Sequence, residues 1–206
     1  MKARIPISLA VEDDVSERVV RRVLKERSVE YDVGPVYGRR GFGYLKRQVA
    51  SFNNAARASP FLLLTDLDQC PCPPSLLADW LGQSRRHPHF IFRVAVREVE
   101  SWLLADDVNL ASFLGSRRRI AIPNPEGLED PKSTLLGLAA EARRREIRDA
   151  IVWRNKGSGE LLQGPDYNGA LAPFVEEVWN IRRARERCPS LAGFFAALDR
   201  LEKRDR

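Results

Sequence analysis

The sequence contains few of the residues that disulfide scaffolds and thiolate or imidazole metal sites need. There are three cysteines, two histidines and one methionine among 206 residues. A small, odd number of cysteines excludes a disulfide framework and suits a reducing compartment. No apolar run reaches the roughly 18 residues of a membrane-spanning helix. The start, MKARIPISLAVEDD, lacks a small-residue cleavage site, so we interpret it as a first strand rather than a signal peptide and predict cytoplasmic residence without a membrane partner.

Acidic residues are outnumbered by basic ones, and the net charge is +6. Guanidinium groups suit phosphate oxygens, so the charge favours a polyanionic partner such as nucleic acid, although solvated helix faces carry similar runs. Pairs and triplets of arginine are found at residues 39–40, 85–86, 117–119, 143–145 and 182–183.

The apolar pattern of the first half predicts an α/β fold. Short apolar runs at 5–11, 31–37 and 61–65 are typical of strands, and helices are predicted between them. Asp14 and Glu17 have the spacing of a capping box for the first helix. Two strand–helix–strand units in succession indicate a largely parallel, Rossmann-like sheet with helices on both faces.

The second half is predicted to be mostly helical. After a helix near 74–83, the segment 89–107 reads as a strand that passes into a helix. We expect residues 1–115 to form the α/β core and residues 116–206 to form a helical extension packed on it. The four tryptophans, Trp153 among them, are expected in the core or between helices. Further helices are predicted at 109–114, 133–150, 170–185 and 190–203, with Gly-, Pro- and Asn-rich loops between them.

Two aspartates stand where the apolar run FLLLT ends. In TDLD, strand alternation would place Asp66 and Asp68 on one face and Leu67 on the other. Glu12 follows the first strand in the same way. Ligands bind at the carboxyl ends of parallel strands, where converging carboxylates repel one another unless a cation joins them. Mg²⁺ or Mn²⁺ is often held by a few carboxylates together with substrate phosphates, so we predict such a site here.

Other candidates have structural alternatives. Glu17 is a candidate metal ligand, but a helix-capping role would also explain it. Glu98 and Glu100 are candidates for a second metal position, but acids in the first turn of a helix would also explain them. Asp66 and Asp68 could instead serve only to form the turn that follows the strand. Lys132 is a candidate phosphate contact or simply a residue at a helix start.

Structural zinc is a further alternative. Four residues could supply ligands, although ligands one residue apart strain a tetrahedral site and loop cysteines explain the pattern better. They are Cys70, Cys72, His87 and His89.

The motifs together resemble a known family. VEDDVSE and TDLD are similar to the Toprim domain of topoisomerases, primases and the overcoming-lysogenization-defect nucleases. With FRVAVREVESWLLAD, EDPK and GPDYN added, the chain resembles a bacterial Toprim-like family of unknown function, some members of which lie near phage-defence genes. The resemblance implies metal-dependent phosphodiester chemistry on a Toprim-like fold.

The resemblance also assigns roles. Glu12, Asp66 and Asp68 would hold one ion, Glu17 with Glu98 or Glu100 a second, and Lys132 would assist the phosphate. Asp13 stands where the nucleases have a glycine. No GxxxxGK[ST] motif is present, so any ATP hydrolysis would require a companion ATPase chain.

The expected function is a Mg²⁺- or Mn²⁺-dependent nuclease or phosphodiesterase, with DNA ahead of RNA as substrate and phage defence as the implied setting. Arg39, Arg40 and Arg97 are the expected nucleic-acid contacts. The alternative is a Toprim-like module that binds nucleic acid or a partner without catalysis.

Overall fold

The computed structural model describes residues 4–204, which fall into two compact units. Residues 4–96 and 190–204 form the first unit, and Arg97–Pro189 forms the second. The chain therefore leaves the first unit after Val96 and returns to it at Ser190. This division by contacts separates the chain after residues 96 and 189, whereas the sequence predicts a domain boundary after residue 115. Contacts alone do not test domain boundaries, so that boundary stays a prediction.

Six strands and ten α-helices are found among the described residues, besides a 3-10 turn at Pro125–Gly127 and a π-helical turn. The strands are β1 (Arg4–Val11), β2 (Glu30–Gly38), β3 (Phe61–Asp66), β4 (Phe90–Ala95), β5 (Val152–Arg154) and β6 (Leu161–Gln163). The helices are α1 (Asp14–Lys25), α2 (Phe42–Ala55), α3 (Pro73–Leu81), α4 (Glu100–Leu104), α5 (Asp107–Leu114), α6 (Pro131–Ala140), α7 (Arg145–Ile151), α8 (Tyr167–Pro173), α9 (Ile181–Arg187) and α10 (Pro189–Arg204).

The first unit contains a four-stranded sheet in the order β2-β1-β3-β4, and all of its neighbouring strands are parallel. The central strands are buried for most of their length because their residues are apolar. The prediction of an α/β fold with a parallel, Rossmann-like sheet flanked by helices is confirmed.

Strand alternation divides the side chains between the two faces of the sheet. On one face, Phe61 of β3 and Phe90 of β4 pack with Phe52 of α2 and Trp80 of α3 in one apolar cluster. Arg93 of β4, which lies out of phase with Phe90, instead contacts Ser190 at the start of α10.

The capping of α1 differs from the prediction. Asp13 is the N-cap, because its backbone is extended and its Oδ1 accepts a hydrogen bond from the backbone N of Ser16 at 2.8 Å. Asp14 is already the first helical residue, so the predicted capping box with Glu17 is wrong. Glu17 is left to form ion pairs instead.

In the second unit, a predicted helix over 133–150 is two helices, α6 and α7. The break occurs because the backbone N of Arg143 donates to the carbonyl oxygen of Leu114 at 3.1 Å instead of continuing the helix. The predicted helix over 170–185 is also interrupted. Pro173 lacks an N–H, and a π-helical turn follows at Phe174–Val178 before α9 begins.

A predicted loop contains an antiparallel hairpin. β5 and β6 pair across the segment NKGSGE, in which Gly159 has a positive φ of 75°. Trp153 lies on β5 with 51% of its surface exposed, so its predicted burial is wrong. A three-residue strand paired on one side offers no cover for so large a ring.

None of the helices in the described part of the chain is long and apolar enough to cross a membrane.

Candidate functional site

Glu12 joins the carboxyl ends of β1 and β3. Ala10 is paired with Leu63, so the residue after Val11 reaches the level of Thr65. There Glu12 Oε1 accepts a hydrogen bond from the hydroxyl of Thr65 and one from the backbone N of Asp66 at 3.0 Å. The two strand ends predicted to meet are therefore brought together by a direct contact.

The electrostatic surroundings of Glu12 are unfavourable to its charge. Burial has the largest influence and raises the pKa of Glu12, the hydrogen bonds from Thr65 and Asp66 lower it, and the nearby charges of Asp68 and Asp13 raise it again. The pKa is raised overall, and no cation is among these influences in the described residues. Such a carboxylate would gain from a cation placed beside it.

The two aspartates differ in backbone and exposure. Asp66 ends β3 and is half-buried, whereas Asp68 is exposed and has a left-handed φ of 49°. Leu67 between them is buried, and its backbone N donates to the carbonyl oxygen of Ala95 at 2.9 Å. Asp68 therefore belongs to the turn after the strand, a conformation that aspartate tolerates better than most residues.

Glu17 is occupied by two arginines. Its carboxylate accepts hydrogen bonds from Arg21 and Arg39, each with an Nε distance of 2.8 Å. Burial would raise the pKa of Glu17, but these two guanidinium groups outweigh it and lower the pKa overall. Arg39 also pairs with Asp14 at 3.1 Å, so one predicted nucleic-acid contact is engaged within the protein.

The other two predicted nucleic-acid contacts lie in different units. Arg40 places its guanidinium 5.6 Å from the ring centre of Tyr44 at the start of α2. Arg97 is the first residue of the second unit and has a left-handed φ of 62°.

The second unit holds the remaining predicted site residues. Glu98 Oε2 accepts a hydrogen bond from the backbone N of Lys132 at 2.8 Å, and burial raises the pKa of Glu98. Glu100 is buried, accepts a hydrogen bond from the hydroxyl of Tyr167 at 2.8 Å and lies 3.5 Å from Lys132 Nζ. Glu98, Glu100 and Lys132 thus form one cluster, in which the ammonium group offsets the charge of Glu100.

Across residues 4–204, no group of three or more His, Cys, Asp or Glu side chains is arranged to hold a metal ion. One oxygen of Glu12 is turned towards Thr65 and the backbone of Asp66, and Glu17 is neutralised by arginines. The predicted metal sites, with one ion or two, stay predictions.

The four candidate zinc ligands lie close to the start of α3 and the start of β4. Cys72 is the N-cap residue of α3, and its Sγ is 3.1 Å from the hydroxyl oxygen of Ser75. The rings of His87 and His89 contact each other edge to face ahead of β4. All three cysteines are free thiols.

Thr65 was missed by the sequence analysis. It is a buried hydroxyl in an otherwise aliphatic run, and it fixes the orientation of Glu12. The signal was the single polar residue in FLLLT, because a buried hydroxyl needs a partner.

The chain was compared with models of protein families, with curated proteins and with solved structures, and none of the three comparisons returned a match. The likeness to the Toprim domain therefore stays a prediction from the motifs.

Proposed function

We propose that the protein is a divalent-metal-dependent phosphodiesterase that cleaves nucleic acid in the cytoplasm, with DNA ahead of RNA as substrate. The observation that supports this most is the position of Glu12. Its partly buried carboxylate lies at the carboxyl end of a parallel sheet and accepts a hydrogen bond from the backbone N of Asp66. Within the described chain, the negative charges of Asp68 and Asp13 raise the pKa of Glu12, and no cation offsets them. A hard divalent cation is the natural partner for such a group.

Glu12 and Asp66, with Asp68 on the adjoining turn, are the residues that would hold the ion. A bound ion would supply an activated water and offset the charge of the phosphoryl oxygens. Thr65 and the backbone N of Asp66 keep one oxygen of Glu12 fixed, which leaves the other for the ion. Because the described residues contain no group of three acids already arranged for a metal ion, Glu12 and Asp66 would be the direct ligands and Asp68 would act from the turn. Mg²⁺ often uses only a few carboxylates and completes its shell with water and substrate phosphate.

The test is cleavage of plasmid and single-stranded DNA and of RNA by the purified protein in Mg²⁺ or Mn²⁺. We expect Glu12→Gln and Asp66→Asn to lower the rate by about 100-fold or more, since each removes a ligand charge. Asp32→Asn is the matched control, because Asp32 is exposed on β2 and the charge change is the same. Cleavage that is unchanged in both site variants would contradict the proposal.

A non-catalytic nucleic-acid-binding module is the second candidate. It is favoured by the exposed ring of Trp153 on β5, because an exposed aromatic ring can stack on a nucleic-acid base. The same preparations distinguish the two functions. A binder alone would retain DNA in a gel-shift assay, show no cleavage with either metal, and take up no Mn²⁺ that depends on Asp66.

A further inference from the structure

Arg93 is a cation placed in the middle of an apolar strand. Its neighbours on β4, Phe92 and Val94, belong to the apolar cluster on the other face of the sheet. The guanidinium Nη2 makes one long hydrogen bond, 3.4 Å, to the carbonyl oxygen of Ser190, and the buried Nε has no hydrogen-bond partner.

The helix α10 passes close to this guanidinium at Gly193. A Cβ atom added at Gly193 would lie 2.7 Å from Arg93 Nη2, so a glycine is needed for the side chain to keep its position. The charged groups that act on Arg93 in the described chain are the guanidinium groups of Arg200 and Arg86. Burial, followed by these two charges, lowers the pKa of Arg93 to about 10, so the group is still protonated at neutral pH.

Arg93 is half-buried, and a partly buried cation that faces other cations costs stability unless an anion compensates it. Arg93 lines a cavity of about 230 Å³ together with Arg86, Arg200, Arg204 and His87. Aspartate and glutamate are absent from the described residues around this cavity. Four guanidinium groups therefore converge on one polar space that contains no negative side chain.

The place and size of the cavity distinguish it from the carboxylate site. It lies at the amino end of β4, whereas Glu12 and Asp66 lie at the carboxyl ends of β1 and β3, which run parallel to β4 in the same sheet. Pockets for whole small ligands usually enclose about 300–1,000 Å³. The smaller volume suits a phosphoryl or pyrophosphoryl group rather than a complete cofactor.

We propose that Arg93, Arg86, Arg200 and Arg204 form an anion site that binds a phosphoryl group at the amino end of β4. The phosphoryl group could belong to a small phosphorylated molecule or to a nucleic-acid backbone, because guanidinium forks recognise the same oxygens in both. The unpartnered Nε of Arg93 would donate to the anion at the base of the cavity, and the three outer arginines would hold its remaining oxygens.

Isothermal titration calorimetry with pyrophosphate at 150 mM NaCl tests this site. We expect binding by the wild-type protein and at least a tenfold weaker affinity in Arg93→Met and in Arg200→Ala. Arg47→Met is the matched control, because Arg47 is exposed on α2 and lines neither this cavity nor its neighbour. A thermal midpoint that is unchanged or higher in Arg93→Met would show that the loss of binding is not a loss of folding.

A competition arm identifies the source of the phosphoryl group. Displacement of pyrophosphate by a single-stranded oligonucleotide would assign the site to nucleic-acid backbone, and failure to displace it would assign the site to a small phosphorylated ligand. Either result supports the anion site. It would be overturned if neither probe bound, or if both Arg93→Met and Arg200→Ala bound pyrophosphate as tightly as the wild type.

Discussion

At the residue scale, Glu202 connects α10 to β2 and to the turn that follows α1. Its carboxylate on α10 accepts two hydrogen bonds from Arg27, at 2.8 and 2.9 Å, and one from the hydroxyl of Tyr31 on β2 at 2.9 Å. Arg27 and Glu202 have side-chain exposures of 12% and 7%, so water screens the pair little. A bidentate pair in these surroundings contributes more than an exposed ion pair does.

We expect Glu202→Gln to lower the free energy of unfolding at pH 7 by about 1–3 kcal/mol. Burial raises the pKa of Glu202, but the hydrogen bonds from Arg27 and Tyr31 outweigh it, so the folded-state pKa lies below the ordinary value of 4.5. The carboxylate therefore stabilises the fold fully above pH 4.5, and this stabilisation is lost as the pH falls through the folded-state value.

Urea unfolding between pH 3 and pH 7 measures this effect, and the difference between wild type and Glu202→Gln should shrink at the acid end. Glu30→Gln is the control, because its pair with Arg4 is exposed and should contribute little. A difference that is constant over the whole pH range would refute the assignment.

At the element scale, the end of β2 depends on a glycine. Gly38 has a φ of 105°, and a Cβ atom there would lie 2.0 Å from the carbonyl oxygen of Val11 on β1. The next residues continue this close contact, since the backbone N of Arg39 donates to the same oxygen and that of Gly41 donates to the carbonyl oxygen of Glu12. The backbone of Val11 and Glu12 is therefore held by the segment that directly follows β2.

Gly38→Ala should destabilise the protein by about 1–3 kcal/mol or more, because both the φ angle and the space are incompatible with a side chain. Gly137→Ala is the matched control. Its Cβ would meet nothing within 4 Å in the interior of α6, so it should be neutral or stabilising by roughly 0.5–1 kcal/mol. Chemical denaturation of both variants gives the comparison, and an equal effect of the two changes would contradict the prediction.

Much of the element order could be predicted from the sequence because the core strands are continuous apolar runs and α1 buries one regular stripe of valines. The approach of Glu12 to Asp66 could also be predicted, since parallel strands end at the same edge. The break before Arg143 could not, because a hydrogen bond to a distant carbonyl oxygen causes it. The arginine pairing of Glu17 was hidden for the same reason, since Arg39 is remote in sequence.

At the scale of the whole molecule, the first unit is built from two separate stretches of chain. Ser190 Oγ accepts a hydrogen bond from the backbone N of Val96 at 3.3 Å, and Arg204 donates to the carbonyl oxygen of Pro88 at 2.9 Å. With the Glu202 contacts, these bonds attach α10 along its length to the sheet and its loops. The unit is incomplete without α10.

A chain that stops after Pro189 should therefore lose the cooperative unfolding of the first unit. Arg27 would lose its carboxylate partner on α10, and the face of the sheet that carries the buried Ile91 would be exposed to water. Circular dichroism and urea titration measure this loss. The 206-residue chain serves as the control. Unchanged cooperativity in the shorter chain would show that α10 is dispensable.

The return of the chain at Ser190 has a consequence for biosynthesis. On a ribosome that adds about 5–20 residues per second, the stretch Arg97–Pro189 takes roughly 5 to 20 seconds to emerge. During that interval the nascent sheet is present without its last helix, and its uncovered face is open to chaperones and to neighbouring nascent chains. Folding of the first unit is thereby coupled to the synthesis of the second unit and of α10.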